Sequence, residues 1–256
     1  MAKPDPFTAL FWNVWVESQQ TAKRLQLLKN RFDTIIINHQ PQAFGLNEVL
    51  ADANGESRLL EHLEAHGYHT VFAPFSPEKN GFFSGSALVT RTKPLAVQFH
   101  ELGPDQYGTI RGFPGHTIKL IQAQVGHGGQ QVNIVVNYLA HLVPWNWKAH
   151  LGHHKAFRNV MKLPDLQKTT IIGGDFNQFK FMPRMWGAKS LYHRATGTLM
   201  HPTWRLIGWM PIVQANYDNI FWTKCGTVEL DEFKMLERHP SDHTPLVAKF
   251  TLHPGE

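Results

Sequence analysis

The stretch TIIGGDFNQF, residues 170–179, runs from apolar residues through two glycines to a carboxylate and a carboxamide, Asp175 and Asn177. A short apolar run bounded by glycines predicts a strand that is buried on both faces. Gly173 and Gly174 would let the backbone bend and pass close to a bulky neighbour. Asp175 and Asn177 are two residues apart, so their side chains would share one side of the strand if its geometry continued past the glycines. Because Gly, Asp and Asn also form turns, this stretch alone favours a turn and a functional site equally.

The segments before this stretch alternate between strand and helix. Residues 8–14 and 43–49 are apolar, with the aromatic and β-branched content of strands. Between them, residues 18–38 carry apolar side chains at helical spacing. A second amphipathic helix is predicted at residues 56–67, and a strand follows it at residues 68–75. The order of strand, helix and strand is typical of an α/β protein.

The pattern changes in the middle of the chain, where strands follow one another directly. Four apolar segments separated by turn residues predict an antiparallel meander, at residues 86–91, 94–100, 116–125 and 131–142. A third helix is predicted at residues 148–163, and the charged run that begins at Asp231 indicates a solvated edge or loop. Since no linker or repeat divides the chain, we expect a single α/β domain over residues 1–256.

The composition is that of a soluble, folded protein with a preference for polyanions. Hydrophobic residues make up 42% and aromatic residues 12% of the 256 residues, which excludes a disordered chain, and no apolar run is long enough to span a membrane. The beginning of the sequence lacks the apolar core of a secretory signal, and the single Cys225 cannot form an internal disulfide, so we expect a cytoplasmic protein. The formal charge of +5 favours partners such as nucleic acid or phospholipid surfaces.

Polar side chains recur where the predicted strands end. They include Asn13, Asn47, Glu48, Asn137, Tyr138, His141, Asp175, Asn177, Asp218, Asp242 and His243. A packed sheet would gather such strand ends at one edge, where ligands bind preferentially in α/β folds. Each residue alone is more often a cap, a turn residue or a solvated charge, so it is the repetition that indicates a site.

Oxygen ligands dominate this set of residues. Carboxylates and amides with one or two histidines and no cysteine favour a hard cation such as Mg²⁺ or Mn²⁺ over zinc. Glu48 is the first choice for a ligand to this cation. Asp218 or Asp242 could hold the ring of His243 in one tautomer and stabilise its protonated form, as acid–base catalysis requires.

Together these segments resemble the endonuclease/exonuclease/phosphatase superfamily, which includes pancreatic deoxyribonuclease, apurinic endonucleases, inositol polyphosphate phosphatases and neutral sphingomyelinases. The resemblance covers nearly the whole chain, and although each motif is weak, all of them occur in the order found in the family. The matching motifs are FWNV with Asn13, LNEV with Glu48, FFSGSALVTR with Gly85, NYLAHL with His141, GGDFN with Asp175 and Asn177, YDNIF with Asp218, and SDHTPL with Asp242 and His243.

The resemblance implies both a fold and a reaction. The fold is a four-layer α/β/β/α sandwich of two mixed, largely antiparallel sheets flanked by helices. The reaction is Mg²⁺-assisted attack of water on a phosphate ester, with Mn²⁺ as a substitute for Mg²⁺. In this family, the residue that matches Glu48 is the principal metal ligand, with the counterparts of Asn13 and Asp242 beside the ion.

The resemblance also implies catalytic roles for the remaining motif residues. Asp175 would orient or deprotonate the attacking water, and Asn177 would hold a phosphate oxygen. His243 would donate a hydrogen bond to a phosphate oxygen in the transition state, with Asp218 fixing its ring. These roles suit phosphoryl transfer, which depends mainly on positioning and on neutralising charge at the phosphate oxygens.

The sequence departs from the family pattern around the predicted phosphate contacts. The family's Asn-Thr-His-Leu appears here as residues 137–141, so either Tyr138 or His141 could contact the phosphate beside Asn137, and we favour His141. Relatives often carry an arginine just before the aspartate of the YDNIF motif, and this chain has none there. Arg111 lies where relatives often have a phosphate-facing arginine, although a surface arginine fits that position nearly as well.

The substrate is predicted mainly from the segment that follows GGDFN. Residues 178–189 interleave lysine and arginine with aromatic residues that include Trp186. Such a loop suits nucleic acid, because aromatic rings stack on bases and cations follow phosphates, but it equally suits a membrane surface or the packed face of a short helix. We therefore expect a monomeric nuclease acting on DNA or RNA. The alternatives are an enzyme that hydrolyses inositol phosphates or sphingomyelin, and a non-catalytic module that binds polyanions.

Overall fold

The computed structural model describes residues 6–78, 81–102, 118–138, 169–177, 204–205, 214–215, 218–222 and 228–253. Its helices are α1 (Ala22–His39), α2 (Arg58–Ala65) and a short 3-10 helix at Val16–Ser18. The strands are β1 (Phe7–Asn13), β2 (Ala43–Ala51), β3 (His69–Pro77), β4 (Phe83–Thr90), β5 (Ala96–Leu102), β6 (Ile118–His127), β7 (Gln130–Tyr138), β8 (Thr170–Asp175), β9 (Trp204–Arg205), β10 (Gln214–Ala215), β11 (Asp218–Trp222), β12 (Val228–Met235) and β13 (Leu246–Leu252). Apart from the short pair β9 and β10, these strands form two sheets.

The larger sheet has six strands in the order β12-β13-β1-β2-β4-β3. β1 and β2 run parallel, and the other neighbouring pairs in this sheet are antiparallel. Every residue of β1 is buried, with Phe7, Ala9 and Phe11 facing the second sheet and Leu10 and Trp12 facing the helices. Both faces of this strand are apolar because the sheet is covered on both sides.

The smaller sheet has five strands in the order β11-β8-β7-β6-β5. β7 and β8 run parallel, and the other pairs are antiparallel. All six residues of β8 are buried, as the short apolar run at Ile171 and Ile172 with its flanking glycines predicts. Each sheet therefore contains one parallel pair, and the carboxyl ends of such pairs are where ligands bind in α/β folds.

Two apolar clusters hold the layers together. One lies between the sheets and contains Phe11, Val136 and Phe250, and the other lies between the six-stranded sheet and the helices. In the second cluster the ring of Phe32 from α1 packs against Trp12 and Phe44, with ring centroids 5.3 and 5.6 Å away. Burial of an aromatic side chain of this kind contributes roughly 1.5–3 kcal/mol, so these contacts place α1 firmly on the outer face of the sheet.

Gly173 lets the two sheets approach closely near the end of β8. A Cβ atom at Gly173 would lie 2.2 Å from Phe11 Cγ, and one at Gly45 would lie 2.3 Å from Phe11 Cδ1. Both distances are far below van der Waals contact, so the ring of Phe11 fills the space that the two glycines leave. The prediction that the glycine pair passes close to a bulky neighbour is confirmed at Gly173.

The predicted α/β class and its two mixed, largely antiparallel sheets are confirmed, whereas one predicted pairing is wrong. Residues 86–91 were expected to open a four-stranded meander, but they belong to β4, which pairs with β2 and β3. With a neighbour on each edge, β4 has no free edge for β5, so the chain crosses to the other sheet and only β5, β6 and β7 form a meander.

Two further predictions concern the periphery. The charged run from Asp231 lies in β12, an edge strand whose pattern of exposed side chains agrees with the expected solvated edge. The third helix predicted at residues 148–163, and with it the second helical layer of the sandwich, lies outside the described residues. Within the described ranges, neither α1 nor α2 is long and apolar enough to cross a membrane.

Candidate active site

The ends of the two parallel strand pairs meet at one edge of the sandwich. The pairing of β1 with β2 ends at Asn13 and Asn47, and the pairing of β7 with β8 ends at Tyr138 and Asp175. On the other side of β8, β11 begins with Asp218 opposite Asp175. The polar strand ends that the sequence placed far apart are therefore neighbours at this edge.

Two fully buried amides join the sheets there. Asn13 Nδ2 donates to Asp175 Oδ2 (2.9 Å) and to Glu48 Oε1 (3.0 Å), so it links one carboxylate from each sheet. Asn47 Oδ1 accepts from the Asp175 N–H (2.9 Å), while its Nδ2 donates to Ser86 Oγ (2.9 Å). These hydrogen bonds fix Asp175 and Glu48 relative to each other.

Glu48 lies in a β-bulge of β2, where the register against β4 shifts. Its φ of 57° is in the left-handed region, which is uncommon for a residue other than glycine and is found most often at functional sites. The Gln19 side chain supports the bulge by accepting from the Leu50 N–H and donating to the Glu48 carbonyl, both at 2.8 Å. Gln19 thus replaces the strand partner that β2 lacks beyond the end of β1. The bulge directs the Glu48 carboxylate toward Asn13.

The chain turns sharply around Asp175. Gly174 has a φ of 133°, and a Cβ atom there would lie 2.0 Å from the Asn137 carbonyl oxygen. Asn177 has a φ of 45°, and its N–H donates to Asp175 Oδ1 (2.8 Å). Strand β8 continues through both glycines to Asp175, and its alternation of side chains ends before Asn177. The expected strand is confirmed through Asp175, and the left-handed backbone at Asn177 bends the chain just beyond it. The side chains of Asp175 and Asn177 are both buried where the strand ends meet.

A buried acid–imidazole pair lies next to Asp175. Asp218 Oδ2 is 2.8 Å from His243 Nδ1, and His243 Nε2 lies 4.0 Å from Asp175 Oδ2 and 3.9 Å from Asp242 Oδ1. The ligand atoms of Asp175, Asp218 and His243 are within 4.8 Å of one another, a spacing that a metal ion could also use. The short contact at Nδ1 is instead a hydrogen bond, which holds the ring in one orientation and leaves Nε2 facing the two other carboxylates.

The loop that carries His243 is anchored to β1. Ser241 Oγ accepts from the His243 N–H (3.0 Å) and donates to the Asn13 carbonyl (2.7 Å). Trp12 Nε1 donates to the His243 carbonyl (3.0 Å). Since all three bonds are buried, the imidazole is positioned by the core of the larger sheet.

Burial and neighbouring charges raise the pKa of both His243 and Asp175. Burial is the largest effect on His243 and disfavours the imidazolium, but three carboxylates, with Asp218 the strongest, outweigh it and raise the pKa of His243 to about 10. Burial is also the largest effect on Asp175 and raises its pKa to about 8, against the lowering effects of His243 and two N–H donors. His243 is therefore protonated at neutral pH, and the raised pKa of Asp175 lies close to neutral pH.

Glu48 is well placed to hold a cation. It is half-buried, and both described hydrogen bonds to its carboxylate, from Asn13 Nδ2 (3.0 Å) and Tyr138 Oη (3.4 Å), end on Oε1. Oε2 accepts no hydrogen bond from the residues that the structure describes. Asp242, whose side chain is 16% exposed, adds a second carboxylate near His243. A donor set of carboxylate oxygens fits a hard divalent cation such as Mg²⁺ or Mn²⁺.

Asn13 presents its nitrogen, rather than its oxygen, to Glu48. Its Oδ1 accepts from the Trp15 N–H (3.0 Å), which fixes the orientation of the amide. In this geometry Asn13 positions the Glu48 carboxylate, and its predicted place beside a metal ion stays a prediction.

The structure brings most of the predicted site residues to this one edge, namely Asn13, Glu48, Asn137, Tyr138, Asp175, Asn177, Asp218, Asp242 and His243. Asn137 Nδ2 donates to the Asp175 carbonyl (3.4 Å), and its buried Oδ1 has no hydrogen-bond partner in the described part of the chain. The Tyr138 ring stacks on Phe75, with centroids 4.3 Å apart. Three predicted residues lie outside the described residues, and their roles stay predictions: Arg111, His141 and Trp186.

Three residues support the site without an assigned role in the sequence prediction: Gln19, Asn47 and Ser241. Asn47 stands among the polar strand ends, but its bond to Asp175 comes from the opposite sheet. Gln19 falls in a segment predicted as helix, and its role depends on where β1 happens to stop. Ser241 has the only detectable pattern, because serine two residues before a site histidine is typical of a side chain–backbone turn.

A basic groove of about 570 Å³ opens beside these residues. Its lining consists of Trp15, Lys23, Arg24, Leu27, Arg238, His239, Pro240 and Ser241. The Arg24 guanidinium lies 5.7 Å from the centroid of the Trp15 ring, and Arg238 Nη1, shielded from solvent, makes no hydrogen bond within the described ranges. Trp15 and Ser241 both bond to Asn13, so the groove and the site share a wall.

Comparison with known proteins agrees with this geometry. A family model described as the Endonuclease/Exonuclease/phosphatase family matches residues 10–243. A search of curated proteins found no significant match. Among solved structures, an endonuclease/exonuclease/phosphatase from Beutenbergia cavernae DSM 12333 is 20% identical with a TM-score of 0.76, and the similarity covers 98% of this chain and 72% of that one.

Two other similar structures contain DNA. The TDP2 protein of D. rerio, complexed with a single-strand DNA product, is 17% identical with a TM-score of 0.70, covering 96% of this chain and 99% of that one. The 3′ phosphatase NExo from Neisseria, bound to a product DNA hairpin, is 16% identical with a TM-score of 0.62, covering 95% of this chain and 99% of that one. At these identities the likeness establishes a shared fold.

Proposed function

The chain belongs to the endonuclease/exonuclease/phosphatase family, and from this premise we propose that it is a Mg²⁺-dependent phosphodiesterase that cleaves nucleic acid. The observation that carries the proposal is the buried Asp218–His243 pair beside Asp175, which the Asn13 amide joins to Glu48. A proton donor, a base and a carboxylate for a cation are thereby held in one place. This combination of groups can position water and neutralise charge for the hydrolysis of a phosphate ester.

Asp175 is the proposed base that orients the attacking water and accepts its proton. Its Oδ1 accepts from the Asn177 N–H (2.8 Å) and its Oδ2 from Asn13 Nδ2 (2.9 Å), so the carboxylate has a fixed orientation. Its raised pKa, about 8, makes the ionised form a stronger base than an ordinary aspartate. A positioned base of this kind contributes about 10²- to 10⁴-fold to the rate.

His243 is the proposed donor to a phosphate oxygen. Asp218 binds Nδ1 and maintains the imidazolium, so Nε2 carries the proton that faces the substrate. Nε2 and Asp175 Oδ2 are 4.0 Å apart, too far for a hydrogen bond between them, and each can therefore engage the substrate or the attacking water. Asn177, buried beside Asp175, is proposed to hold a second phosphate oxygen.

Glu48 is the proposed ligand of Mg²⁺, with Asp242 and Asn13 beside the ion. When bound, the cation supplies charge neutralisation at the phosphate oxygens and a lower pKa for the attacking water. The chain itself contributes a preorganised carboxylate, because the Gln19 amide holds the bulge and Asn13 Nδ2 holds Oε1. Such positioning avoids reorganisation during the reaction.

The basic groove supports nucleic acid as the substrate class. The groove lies beside the site and presents the cations Lys23, Arg24 and Arg238. The charge of a substrate with a single phosphate group would be neutralised within the site, without these cations. Trp15 adds an aromatic surface beside these cations, the combination on which bases stack while phosphates are neutralised. The presence of DNA in two proteins of the same fold agrees with this choice.

A substrate panel tests the proposed function. Single-stranded DNA, duplex DNA, RNA, inositol phosphates and sphingomyelin vesicles would each be incubated with Mg²⁺ or with chelator. We expect cleavage of a nucleic acid with Mg²⁺ only, and its loss in His243→Ala. The matched control is His253→Ala. His253 is half-exposed and follows β13 at the end opposite the site loop, so this variant should cleave like the wild type.

The alternatives give different results on the same panel. Hydrolysis of an inositol phosphate or of sphingomyelin with no cleavage of nucleic acid would overturn the substrate class and leave the catalytic roles standing. Tight binding of DNA or RNA with no hydrolysis on the whole panel would identify a polyanion-binding module instead. Cleavage that persists in chelator or in His243→Ala would contradict the proposed mechanism.

A further inference from the structure

A second group of metal-binding side chains lies on the outer helical layer. Asp33 of α1 faces His62 and His66 from the carboxyl end of α2. The two histidines are one helical turn apart, so their rings project to the same side of α2, toward α1. The motifs of the candidate active site include none of these three residues.

The donor atoms of this group converge on one point. His62 Nε2 is 2.7 Å and His66 Nε2 is 2.9 Å from the same atom, Asp33 Oδ1. All three ligand atoms lie within 4.8 Å of one another. In a tetrahedral zinc site, bonds of about 2.0–2.1 Å separate neighbouring ligand atoms by about 3.3 Å. Side-chain shifts of about half an ångström would therefore admit an ion between the three groups.

The chemistry of these donors differs from that of the Glu48 site. Imidazole nitrogens are borderline donors, and two of them with one carboxylate oxygen suit Zn²⁺ and its neighbours among the transition metals better than Mg²⁺. The side chain of His62 is 19% exposed and those of His66 and Asp33 are each 36% exposed, so an ion could enter from solvent without unfolding. A fourth position would remain open to water.

We propose that Asp33, His62 and His66 bind a transition-metal ion of the zinc class, separate from the Mg²⁺ site, and that this ion ties α1 to α2. Without the ion, the Asp33 carboxylate shares a hydrogen bond with His62 Nε2 and lies 2.9 Å from His66 Nε2. The ion replaces these two contacts with coordination bonds to the nitrogen lone pairs. α1 follows β1, which carries Asn13, and α2 follows β2, which carries Glu48. The ion therefore links the two helices that follow these strands. The proposal does not depend on the proposed activity.

Zinc binding to the chelator-stripped full chain tests the proposal. Titration calorimetry should show one tight equivalent of Zn²⁺, and the melting temperature should rise with zinc concentration, because an ion that binds only the folded state stabilises it. The double variant His62→Ala/His66→Ala should lose this equivalent and the thermal shift. Asp33→Asn should bind zinc at least about 10-fold more weakly, since a charged ligand becomes a neutral amide. His69→Ala, which replaces an exposed histidine nearby in sequence, is the matched control and should bind like the wild type.

Two further variants separate this site from other ligands of the chain. Glu48→Gln and the triple variant His150→Ala/His153→Ala/His154→Ala, which removes another group of closely spaced histidines in the sequence, should both keep the zinc equivalent. Far-UV circular dichroism would confirm that each variant is folded. In addition, Co²⁺ bound to the wild type should give the visible absorption of a tetrahedral site, and this absorption should be absent in the double variant.

Three results would overturn the proposal. The first is a folded wild-type chain that binds no tight equivalent of zinc. The second is a zinc equivalent that persists in His62→Ala/His66→Ala or disappears in one of the two variants that should keep it. The third is a melting temperature that zinc leaves unchanged while it binds.

Discussion

Replacement of Asn47 by alanine should destabilise the protein strongly, because this side chain joins the two sheets behind the site. Asn47 is fully buried, accepts from the Asp175 N–H at 2.9 Å and donates to Ser86 Oγ at 2.9 Å. The alanine variant would leave the Asp175 N–H and the Ser86 hydroxyl without these partners, and each buried group left unsatisfied costs about 1–3 kcal/mol. We therefore expect the free energy of unfolding to fall by about 2–6 kcal/mol, a large part of the roughly 5–15 kcal/mol typical of a folded domain.

Urea denaturation measures this loss, with the expected signature of a lower midpoint at an unchanged m-value. Asn54→Ala is the matched control, because Asn54 is exposed in a turn and only its backbone N–H bonds to Asp52, and it should change stability by less than about 0.5 kcal/mol. A double-mutant cycle with Ser86→Ala should reveal a coupling energy of about 0.5–3 kcal/mol. The reasoning is refuted if Asn47→Ala is as stable as Asn54→Ala, since the bond between the sheets would then contribute nothing.

Four further predictions concern the acid–imidazole pair, the packing of the sheets and the groove. Asp218→Asn should lower the pKa of His243 from about 10. Because His243 acts in its protonated form, the alkaline limb of the pH profile of kcat/KM should move to lower pH. A limb that stays in place would contradict the role of Asp218. The raised pKa also means that this pair stabilises the wild type fully below pH 6.5 and that the stabilisation is lost as the pH rises toward about 10, which urea denaturation at several pH values would detect. Gly173→Ala should lower the free energy of unfolding by at least about 1–3 kcal/mol and lower the melting temperature, because its Cβ would lie 2.2 Å from Phe11 Cγ. A variant as stable as the wild type would show that this contact relaxes freely. Arg24→Ala should weaken binding of an oligonucleotide and reduce the slope of log affinity against log salt by about 1, with little change in kcat, whereas an unchanged slope would exclude the groove from the binding surface.

The sequence predicts most of the strands because their apolar patterns are local. β8 is buried at every position, as its apolar residues Ile171 and Ile172 indicate, and Gly173 within the strand is needed because Phe11 occupies its side-chain space. The partner of β4 is not predictable in this way. Its pattern shows that it is a strand, but the neighbours on its two edges are set by the packing of the whole sheet.

The residues of the candidate site also differ in whether a local sequence pattern predicts them. Asp175, Asp218 and His243 belong to short motifs, and the structure places them within hydrogen-bonding or ionic reach of one another. Asn47 and Gln19 carry no local pattern, because the bonds of Asn47 run between the sheets and those of Gln19 depend on a bulge in a neighbouring strand. The basic groove is likewise invisible in the sequence, since its lining joins residues 15–27 to residues 238–241.

The metal dependence of cleavage tests the central claim most directly. The measurement is the initial rate of cleavage of a labelled oligonucleotide across a range of Mg²⁺ concentrations, for the wild type, Glu48→Gln and the exposed control Glu56→Gln. We predict that the chelator-treated wild type is inactive and recovers with Mg²⁺, and that Glu56→Gln behaves in the same way. The cleavage rate of Glu48→Gln should fall by more than the factor of about 10 to 100 that is typical of residues that only support a metal ligand. A wild type that cleaves at its full rate in chelator, or a Glu48→Gln variant with the rate and Mg²⁺ dependence of the wild type, would contradict the account.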